Sequence, residues 1–372
     1  MSMPKIMGFA NLHGNKNLGP LTENRPLGST SFLGRYALMD FTLSNFSNSG
    51  IDKVGILIET QPRSIMKHLG SNNVFNNNTK LGFEQVLYNE KNANNPLYNH
   101  DLNNLKANDW LILDHKPDVI VIAPTDLLYT LDFKPIIKQH LENQEPITLV
   151  VSKVKQAKHQ FLLADTVTLT QGRVSNMIQN QGTKEEIDIN LDTYVISRSF
   201  LNQMMDMGPK ISATFGIKEI LRFLLTQEKQ TFAAYRFTGY VRPFDSLESY
   251  FENSMGFLDY GFRNKFFTDD WPIYTVSHNT APARFGSTSV VQNSMIANGA
   301  KIHGTVINSI ISRNVTIEAG AVVKDSIIFT DSRIGKDVMV RNAIIDKYVR
   351  VEKTKLLAGK DSPLYIKQGE NI

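Results

Sequence analysis

Residues 317–340 read IEAGAVVKDSIIFTDSRIGKDVMV, and within this stretch an aliphatic residue recurs at every sixth position. The recurring residues are Val322, Ile328, Ile334 and Val340. A spacing of six is typical of a parallel β-helix, in which each side of a triangular coil contributes one inward aliphatic side chain and the coils stack. The stretch therefore predicts a left-handed parallel β-helix of hexapeptide repeats.

The same spacing continues on both sides of this stretch. Further aliphatic residues at six-residue steps are Val290, Ile296 and Ile302, then Ile311, Ile317 and Val323, and finally Ile345 and Val351. We expect these side chains to point into the core of the coil, with Gly and Asn recurring between them. Slips between the registers indicate coils with small insertions. The pattern assigns the β-helix to residues 286–372.

Residues 1–240 show a different pattern, in which short apolar runs alternate with helical stretches. The candidate strands are KIMGFANL (5–12), DKVGILIE (52–59), PDVIVIAPT (117–125), ITLVVSKV (147–154), LDTYVISR (191–198) and FAAYRF (232–237). RYALMDFTLSNF and FGIKEILRFLL place their apolar residues on one face of a helix. Alternating strands and helices predict an α/β domain with a mostly parallel, mixed sheet. Ligands of such sheets bind beyond the carboxyl ends of the strands, so we expect the site in the loop after the first strand.

Two segments follow neither pattern. Residues 71–109 are rich in asparagine and have almost no apolar period, so we expect long surface loops or a lid. Residues 241–285 read as a helix and a proline-bearing linker arm between the two domains.

The composition limits the class of function. A chain of 372 residues is too long for one ordinary core, which favours two domains. A net charge of +4 gives no reason to expect nucleic-acid binding, and the absence of cysteine excludes thiolate metal sites. The N-terminus lacks the pattern of a signal peptide, and no apolar run approaches the ~18 residues of a membrane span. We expect a cytoplasmic protein without a membrane partner.

Residues 21–51, LTENRPLGSTSFLGRYALMDFTLSNFSNSGI, resemble the N-terminal signature of glucose-1-phosphate adenylyltransferases, which are also called ADP-glucose pyrophosphorylases. DDWPIYT (269–275) resembles the linker of that family, and SLESYFENSM (246–255) resembles the helix after its substrate strand. The resemblance extends over essentially the whole chain. It implies a Rossmann-like nucleotidyltransferase domain of the GT-A type before the β-helix. It also implies synthesis of ADP-glucose from ATP and glucose 1-phosphate for glycogen biosynthesis.

The phosphate loop of that family, G-G-x-G-T-R-L, corresponds here to NLHGNKNLG, which begins at Asn11. Asn11 and Leu12 replace two glycines, and both add side chains where the backbone must approach a phosphate. Gly14 remains, and Lys16 stands in for the loop arginine as a weaker point charge. Leu27 replaces a lysine of the family's Arg-Ala-Lys-Pro segment. We interpret Asn11, Gly14 and Lys16 as the remnant of a nucleotide loop.

The metal-binding motif G-D-H-x-Y of the family corresponds here to TDLLY, which retains Asp126 but has Leu127 in place of the histidine. Pro243 occupies the position of the second metal carboxylate, and Asp245 lies two residues further on. Lys184 lies near the position of the sugar-phosphate lysine, but without the surrounding motif. We therefore expect Asp126 and Asp245 to be vestigial, and no complete catalytic or metal site.

The resemblance is closest to the regulatory, D-type subunit that some bacteria pair with a catalytic subunit. It implies a chain with little or no activity alone, which needs no cofactor itself and assembles with the catalytic subunit of a Mg²⁺-dependent holoenzyme. A hetero-tetramer is the expected assembly, and self-association is a further expectation. Because anionic metabolites control this family, the resemblance also implies Arg25, Arg35 and Arg341 as candidate effector residues.

Two alternatives stay open. The chain is an active sugar-phosphate nucleotidyltransferase if Lys16, Asp126 and Asp245 form a rewired Mg²⁺-dependent site, which predicts pyrophosphate release by the chain alone. It is a hexapeptide acyltransferase if His303 acts as a general base between coils, which predicts turnover of acetyl-CoA.

Overall fold

The computed structural model describes residues 4–14, 17–70, 74–75 and 82–372. The N-terminal part forms an α/β domain around a nine-stranded sheet, and the C-terminal strands form a parallel β-helix. The predicted fold class is confirmed. Within the described part of the chain, no helix is long and apolar enough to cross a membrane.

The helices all precede the β-helix. They are α1 (Met39–Asn48), α2 (Pro62–Leu69), α3 (Asp101–Ala107), α4 (Trp110–His115), α5 (Lys134–Glu142), α6 (Arg198–Ile211), α7 (Ile217–Thr226), α8 (Leu247–Gly256) and α9 (Tyr260–Arg263). Short 3₁₀ turns occur at Gly19–Thr22, Leu27–Ser29 and Glu90–Asn92.

The strands divide between the two parts. Those of the α/β domain are β1 (Ile6–Asn11), β2 (Ser31–Phe32), β3 (Tyr36–Ala37), β4 (Lys53–Ile58), β5 (Phe83–Tyr88), β6 (Val119–Pro124), β7 (Leu127–Leu128), β8 (Ile147–Val154), β9 (Asp165–Thr170), β10 (Arg173–Gln179), β11 (Ile187–Ser197), β12 (Phe232–Phe237) and β13 (Arg242–Pro243). Those of the β-helix are β14 (Arg284–Phe285), β15 (Val290–Gln292), β16 (Met295–Ile296), β17 (Lys301–Ile302), β18 (Thr305–Ile307), β19 (Ile310–Ile311), β20 (Thr316–Ile317), β21 (Val322–Ile328), β22 (Arg333–Ile334), β23 (Met339–Ile345), β24 (Arg350–Val351), β25 (Leu356–Ala358) and β26 (Leu364–Ile366).

The large sheet has the strand order β5-β4-β1-β6-β11-β8-β12-β10-β9. Its first four strands are parallel, whereas β11 runs antiparallel to both of its neighbours. The six strands predicted from apolar runs are all present. Because β1, β4 and β6 are adjacent and parallel, their carboxyl ends meet at one edge, which is where the sequence places the site.

The asparagine-rich segment, residues 71–109, is a surface loop in only part of its described length, at residues 90–98. It contains β5, which pairs with β4, and α3, whose Leu102 and Leu105 are buried. Asn99 and Asn104 are buried as well, and their side-chain amides donate to backbone carbonyls at the ends of β4 and β5. The prediction was wrong for these two asparagines, because they satisfy buried backbone groups instead of facing water.

The β-helix has three faces of parallel strands. The first face is β14-β17-β20-β22-β24, the second is β15-β18-β21-β23-β25, and the third is β16-β19-β21-β23-β26. β21 and β23 are long enough to belong to both the second and the third face. The interior is filled by aliphatic side chains such as Ile302, Ile317 and Val340, as the six-residue spacing predicts.

The orientation predicted for Val290 and Val322 was wrong. Both lie on the outer side of the second face, and their neighbours Val291 and Val323 pack against the interior instead. Along the second face, residues opposite each other in successive coils from Thr305 to Leu356 are 17 positions apart. The interior residues Val323 and Ile328 are only five positions apart. A strict spacing of six therefore points one of the two faces outward within a single coil.

The third face joins the β-helix to the α/β domain. Its outward residues Ile310, Ile327 and Ile344 are buried in a cluster with aromatic side chains of the α/β domain and of α8. Those aromatic residues are Phe32, Phe41, Phe244, Tyr250, Phe257 and Phe266. Apolar burial of this kind holds the two parts of the chain together.

Candidate functional site

A cleft of about 730 Å³ lies beyond the carboxyl ends of β1, β4 and β6. The segments that form it are the loop after β1, the 3₁₀ turns that follow, and the residues directly after β4 and β6. Its lining includes Asn11, Leu12, Gly14, Asn17, Glu23, Arg25, Leu27, Gly28, Glu59, Gln61, Thr125, Asp126 and Lys367. The cleft therefore lies where the sheet topology predicts a ligand site.

Leu12 stands where the phosphate loop of the family has a glycine, and its side chain is buried. Its backbone N–H donates to the Leu57 carbonyl over 2.9 Å, and its side chain lies against Gly28. A Cβ added at Gly28 would lie 2.6 Å from Thr125 Oγ1 and 3.0 Å from Leu12 Cδ2. Gly28 is needed here because Leu12 and Thr125 already occupy the adjoining space. The leucine thus contributes an apolar side chain at a position that phosphate-binding loops keep bare.

The other residues interpreted from the sequence as a nucleotide loop differ in their surroundings. The Asn11 side chain donates to Asp101 Oδ2 over 3.0 Å and accepts from the His13 backbone N–H, so both of its polar ends are engaged. Gly14 lies next to Asp126, whose Oδ2 would be 3.2 Å from an added Cβ. Lys16 lies outside the described residues.

His13 is a residue of this loop that the sequence interpretation missed. Asn104 Nδ2 lies 2.8 Å from His13 Nε2, and His13 Nδ1 is buried. Burial, with a contribution from nearby His100, lowers the pKa of His13 to about 3. The imidazole is therefore neutral at pH 7 and offers no positive charge to a phosphate. The sequence could have drawn attention to His13, because a histidine stands there within the segment that corresponds to a phosphate loop.

Both cations of the described cleft lining are already paired. Arg25 forms a buried ion pair with Asp346, and its guanidinium lies 5.9 Å from the ring centroid of Phe329. Lys367 Nζ lies 2.9 Å from Glu23 Oε2. The described lining therefore presents a triphosphate with no cation that lacks a carboxylate partner.

The two carboxylates Asp126 and Asp245 come from neighbouring segments. β7 pairs with β13, and the Phe244 N–H donates to the Asp126 carbonyl over 3.1 Å. Asp245 follows directly, and its buried Oδ2 has no hydrogen-bond partner among the described residues. Pro243, at the position of the family's second metal carboxylate, pairs with Leu127 and offers no ligand.

The described side chains do not form a cluster that could hold Mg²⁺ without ligands from a substrate. Magnesium requires oxygen ligands in near-ideal octahedral geometry, commonly one or two carboxylates together with substrate phosphates. No group of three or more His, Asp or Glu side chains in the described ranges could hold a metal ion. Asp126 lines the cleft, whereas Asp245 is not among its lining residues.

On the sugar side, Asp192 replaces a residue of the family's S-M-G motif and forms an ion pair. β11 bulges at this point, and Asp192 has a φ of +50°. Its Oδ2 lies 2.7 Å from Lys218 Nζ in the first turn of α7, and its Oδ1 accepts from Asn190 Nδ2 over 2.9 Å. Lys184, by contrast, is exposed in the loop before β11.

The Lys218–Asp192 pair belongs to a larger ion cluster with Asp165 and Arg222. Arg222 Nε donates to Asp165 Oδ2 over 2.9 Å. Burial alone would lower the pKa of Lys218, but the carboxylates of Asp192, Asp165 and, more weakly, Asp126 raise it above its ordinary value. Lys218, whose pKa Asp126 helps to raise, is thus a lysine paired with carboxylates of the α/β domain. Lys218 and Arg222, four residues apart in α7, were the overlooked sequence signal.

The structure does not bring the three candidate effector arginines together. Arg25 is buried in its ion pair, and Arg341 lies on the outer side of the second face, in register with Lys324 and Ala358. Arg35 is exposed on the β2–β3 hairpin, with its guanidinium 5.3 Å from the ring centroid of Tyr36. Each of the three arginines thus contacts a different part of the described structure.

Arg35 instead lies near other basic residues where the hairpin meets the β-helix. Burial and the nearby Arg35 lower the pKa of Arg313. Burial and the charges of Arg313, His68 and Lys67 lower the pKa of His278. These shifts indicate several basic groups that repel one another at the junction.

His303, the residue of the acyltransferase alternative, is exposed on the first face of the β-helix. Its Nδ1 lies 2.7 Å from the position of a Cβ added at Gly286, in the preceding coil. It does not line the cleft.

Comparison with known protein families matches both parts of the chain. Residues 14–178 match the family model described as Nucleotidyl transferase. Residues 279–363 match the model described as GlmU-like, C-terminal hexapeptide.

Curated relatives match along nearly the whole length. A glucose-1-phosphate adenylyltransferase of Bacillus thuringiensis (strain Al Hakam) is 28% identical over 344 residues, which cover 90% of this chain and 89% of the relative. The protein of that name from Bacillus cereus (strain Q1) has the same identity and coverage. The one from Bacillus mycoides (strain KBAB4) is 27% identical over the same length.

Proposed function

We propose, from the premise that the chain belongs to the glucose-1-phosphate adenylyltransferase family, that it is a catalytically degenerate regulatory subunit. It assembles with a catalytic subunit and raises the rate at which that subunit makes ADP-glucose from ATP and glucose 1-phosphate for glycogen biosynthesis. The proposed assembly is a cytoplasmic hetero-tetramer. Mg²⁺ serves the catalytic partner, and this chain needs no cofactor.

The observation that carries the proposal is the absence of an uncommitted cation in the described lining of the cleft. Transfer of a nucleotidyl group between two anionic reactants depends on positioning and on neutralisation of the charge that develops. Arg25 is paired with Asp346 and Lys367 with Glu23, while His13 is neutral. Loss of one preorganised charge costs roughly 10²–10³-fold in rate, so the combined loss supports a chain with little activity alone.

The sugar side supports the same proposal. Asp192, which stands at a position of the family's S-M-G motif, lies 2.7 Å from the ammonium group of Lys218. A sugar phosphate would have to displace that carboxylate and would then meet the charges of Asp165 and Asp192. Repulsion between these anions disfavours binding.

A regulatory subunit acts on its partner through differential binding. It raises the partner's activity only if it binds the active conformation more tightly than the inactive one. The scaffold that such binding requires is present, since both domains are folded around continuous cores.

The test is ADP-glucose synthesis by three samples: this chain alone, the catalytic subunit of the same organism alone, and the two co-purified. We expect no measurable rate from this chain and a higher rate from the mixture than from the catalytic subunit. Pyrophosphate release by this chain alone at a rate comparable with that of the partner would refute the proposal.

A second candidate is the active enzyme with a rewired site, and one observation favours it. The β7–β13 pairing brings the segments of Asp126 and Asp245 next to each other. Substitution Asp126→Asn in this chain separates the two candidates. If this chain contributes chemistry, the variant lowers the rate of the co-purified mixture. If the chain is regulatory, the rate of the mixture stays within about twofold, since no step depends on that carboxylate.

A further inference from the structure

The second face of the β-helix carries an apolar row on its outer side. Val290, Thr305, Val322, Met339 and Leu356 lie opposite one another in successive coils. Val290 is 47% exposed, Met339 46% and Leu356 60%. Strands about 4.8 Å apart give this row a length of roughly 19 Å.

The third face shows how the same fold treats an outward apolar row when a surface is available to cover it. Its residues Ile310, Ile327 and Ile344 are at most 2% exposed, because aromatic side chains of the α/β domain pack on them. In the part of the chain that the structure describes, no segment covers the apolar row of the second face in this way. Contiguous exposed apolar surface of this kind is typical of an interaction site.

A basic row lies beside the apolar row on the same face. Lys324 and Arg341 are Cα partners in adjacent coils, between Ile307 and Ala358. Neither forms an ion pair with a described residue. Like charges directly opposite each other destabilise a sheet. Carboxylates from a partner would remove that repulsion and would add electrostatic attraction to the apolar contact.

The charge of the whole domain indicates which partner fits. Residues 284–372 contain thirteen Lys and Arg against eight Asp and Glu, so they carry more positive charge than the net +4 of the full chain. A second copy of this chain would bring an equally basic β-helix to the contact, where the two would repel each other. An acidic surface of a different chain is complementary.

We propose that the apolar row and the basic row together are the docking surface for an acidic, apolar-centred face of the catalytic subunit. This inference rests on the proposed function, because it names the surface through which the regulatory subunit would bind its partner. Met339 and Leu356 would bury apolar area in the contact, and Lys324 and Arg341 would set its orientation and its dependence on salt.

The test measures the affinity of this chain for the purified catalytic subunit of the same organism by biolayer interferometry. Leu356→Glu places a charge in the apolar row, and Leu97→Glu is the matched control, since Leu97 is a comparably exposed leucine, at 68%, in the α/β domain. Arg341→Glu reverses a charge in the basic row. Its matched control is Arg350→Glu, which reverses a charge on the first face of the same β-helix. Circular dichroism of all four variants verifies that they fold.

We expect Leu356→Glu to weaken binding at least about tenfold and Leu97→Glu to leave it unchanged. Arg341→Glu should weaken binding about fivefold at low ionic strength and less at high salt, with no effect of Arg350→Glu. If the wild-type chains associate but Leu356→Glu binds as tightly as wild type, the docking surface is refuted while the proposed function stands.

Two other outcomes also overturn the docking surface. If wild-type chains do not associate at all, the proposed function fails with it. If Leu356→Glu instead dissociates a homo-oligomer of this chain in analytical ultracentrifugation, without weakening binding to the catalytic subunit, then a second copy covers the row.

Discussion

Side chains at the positions of the family's phosphate and sugar motifs make contacts within the protein itself. Leu12 packs against Gly28, and Asn11 bonds to Asp101. Asp192 holds the ammonium group of Lys218. Each substituted side chain therefore contributes to the stability of the fold.

The neutral, buried imidazole of His13 predicts a dependence of stability on pH. Its pKa is about 3 in the folded chain and near 6.5 when unfolded. Below pH 6.5 the unfolded state therefore binds more protons, and this contribution to stability, present above pH 6.5, is lost as the pH falls toward 3. Between pH 7 and pH 5 wild type should lose about 1–2 kcal/mol more stability than His13→Gln, as measured by urea unfolding.

His159→Gln is the control for this measurement, because His159 is an exposed histidine of the same domain. It should show the pH dependence of wild type. Equal pH dependence of wild type and His13→Gln would contradict the assignment of a neutral, buried His13.

The β-helix shows how a local repeat and a coil geometry interact. Inward and outward residues alternate along each strand, so a change of one position in register exchanges them. In a coil of 17 residues, the step between the interior residues of the second and third faces is five positions instead of six, as from Val323 to Ile328. Asn308, Asp325 and Asn342 recur at this interval with positive φ, and they form corners of the coil.

The corrected register predicts different costs for two adjacent valines. Val323 lies fully buried in the interior, so Val323→Ala should destabilise the chain by about 2 kcal/mol through lost apolar burial and the cavity left behind. Val322 lies on the outer side, and Val322→Ala is the matched control, with an expected cost within about 0.5 kcal/mol. Urea unfolding of both variants measures the difference. Equal costs would mean that the register is wrong.

The molecule as a whole is held together at the junction between its two domains. The ion pair of Arg25 with Asp346 links the lining of the cleft to the β-helix, and the aromatic cluster covers the third face. At the β2–β3 hairpin, Gly34 approaches the coil closely, since an added Cβ would lie 3.0 Å from the Ile311 carbonyl oxygen. A change in the cleft can therefore reach the β-helix through direct contacts.

Gly34 provides a test of the contact between the domains. Its φ is +79°, and that of Gly172 is +77°, so Ala at either position has the same backbone strain of about 1 kcal/mol. Only at Gly34 would the added methyl group press on the β-helix, because nothing lies within 4 Å at Gly172. We expect Gly34→Ala to lower the free energy of unfolding further than Gly172→Ala does, and to expose the linker near residues 276–283 to protease.

The fold class and the position of the site could be predicted from the sequence, because both depend on local patterns. Apolar runs that alternate with helical stretches predict strands, whether a strand lies at the centre or at the edge of the sheet. The carboxyl ends of adjacent parallel strands lie together whatever their side chains are. The absence of the family's loop glycines, arginine and lysine could also be read from the sequence, because it depends only on which residue type stands at each position.

Only the tertiary structure showed which partner each polar group has. Asn99 and Asn104 lie in a segment whose composition indicates surface loops, but they are buried because distant backbone carbonyls need donors. Lys218 and Asp192 are 26 positions apart in the chain, and Arg25 and Asp346 are 321 apart. Residue type sets the charge of a group, whereas its burial and its partners are set by segments that are remote in sequence. For the same reason, neither the outward direction of Val322 nor the neutral state of His13 could be predicted from the sequence.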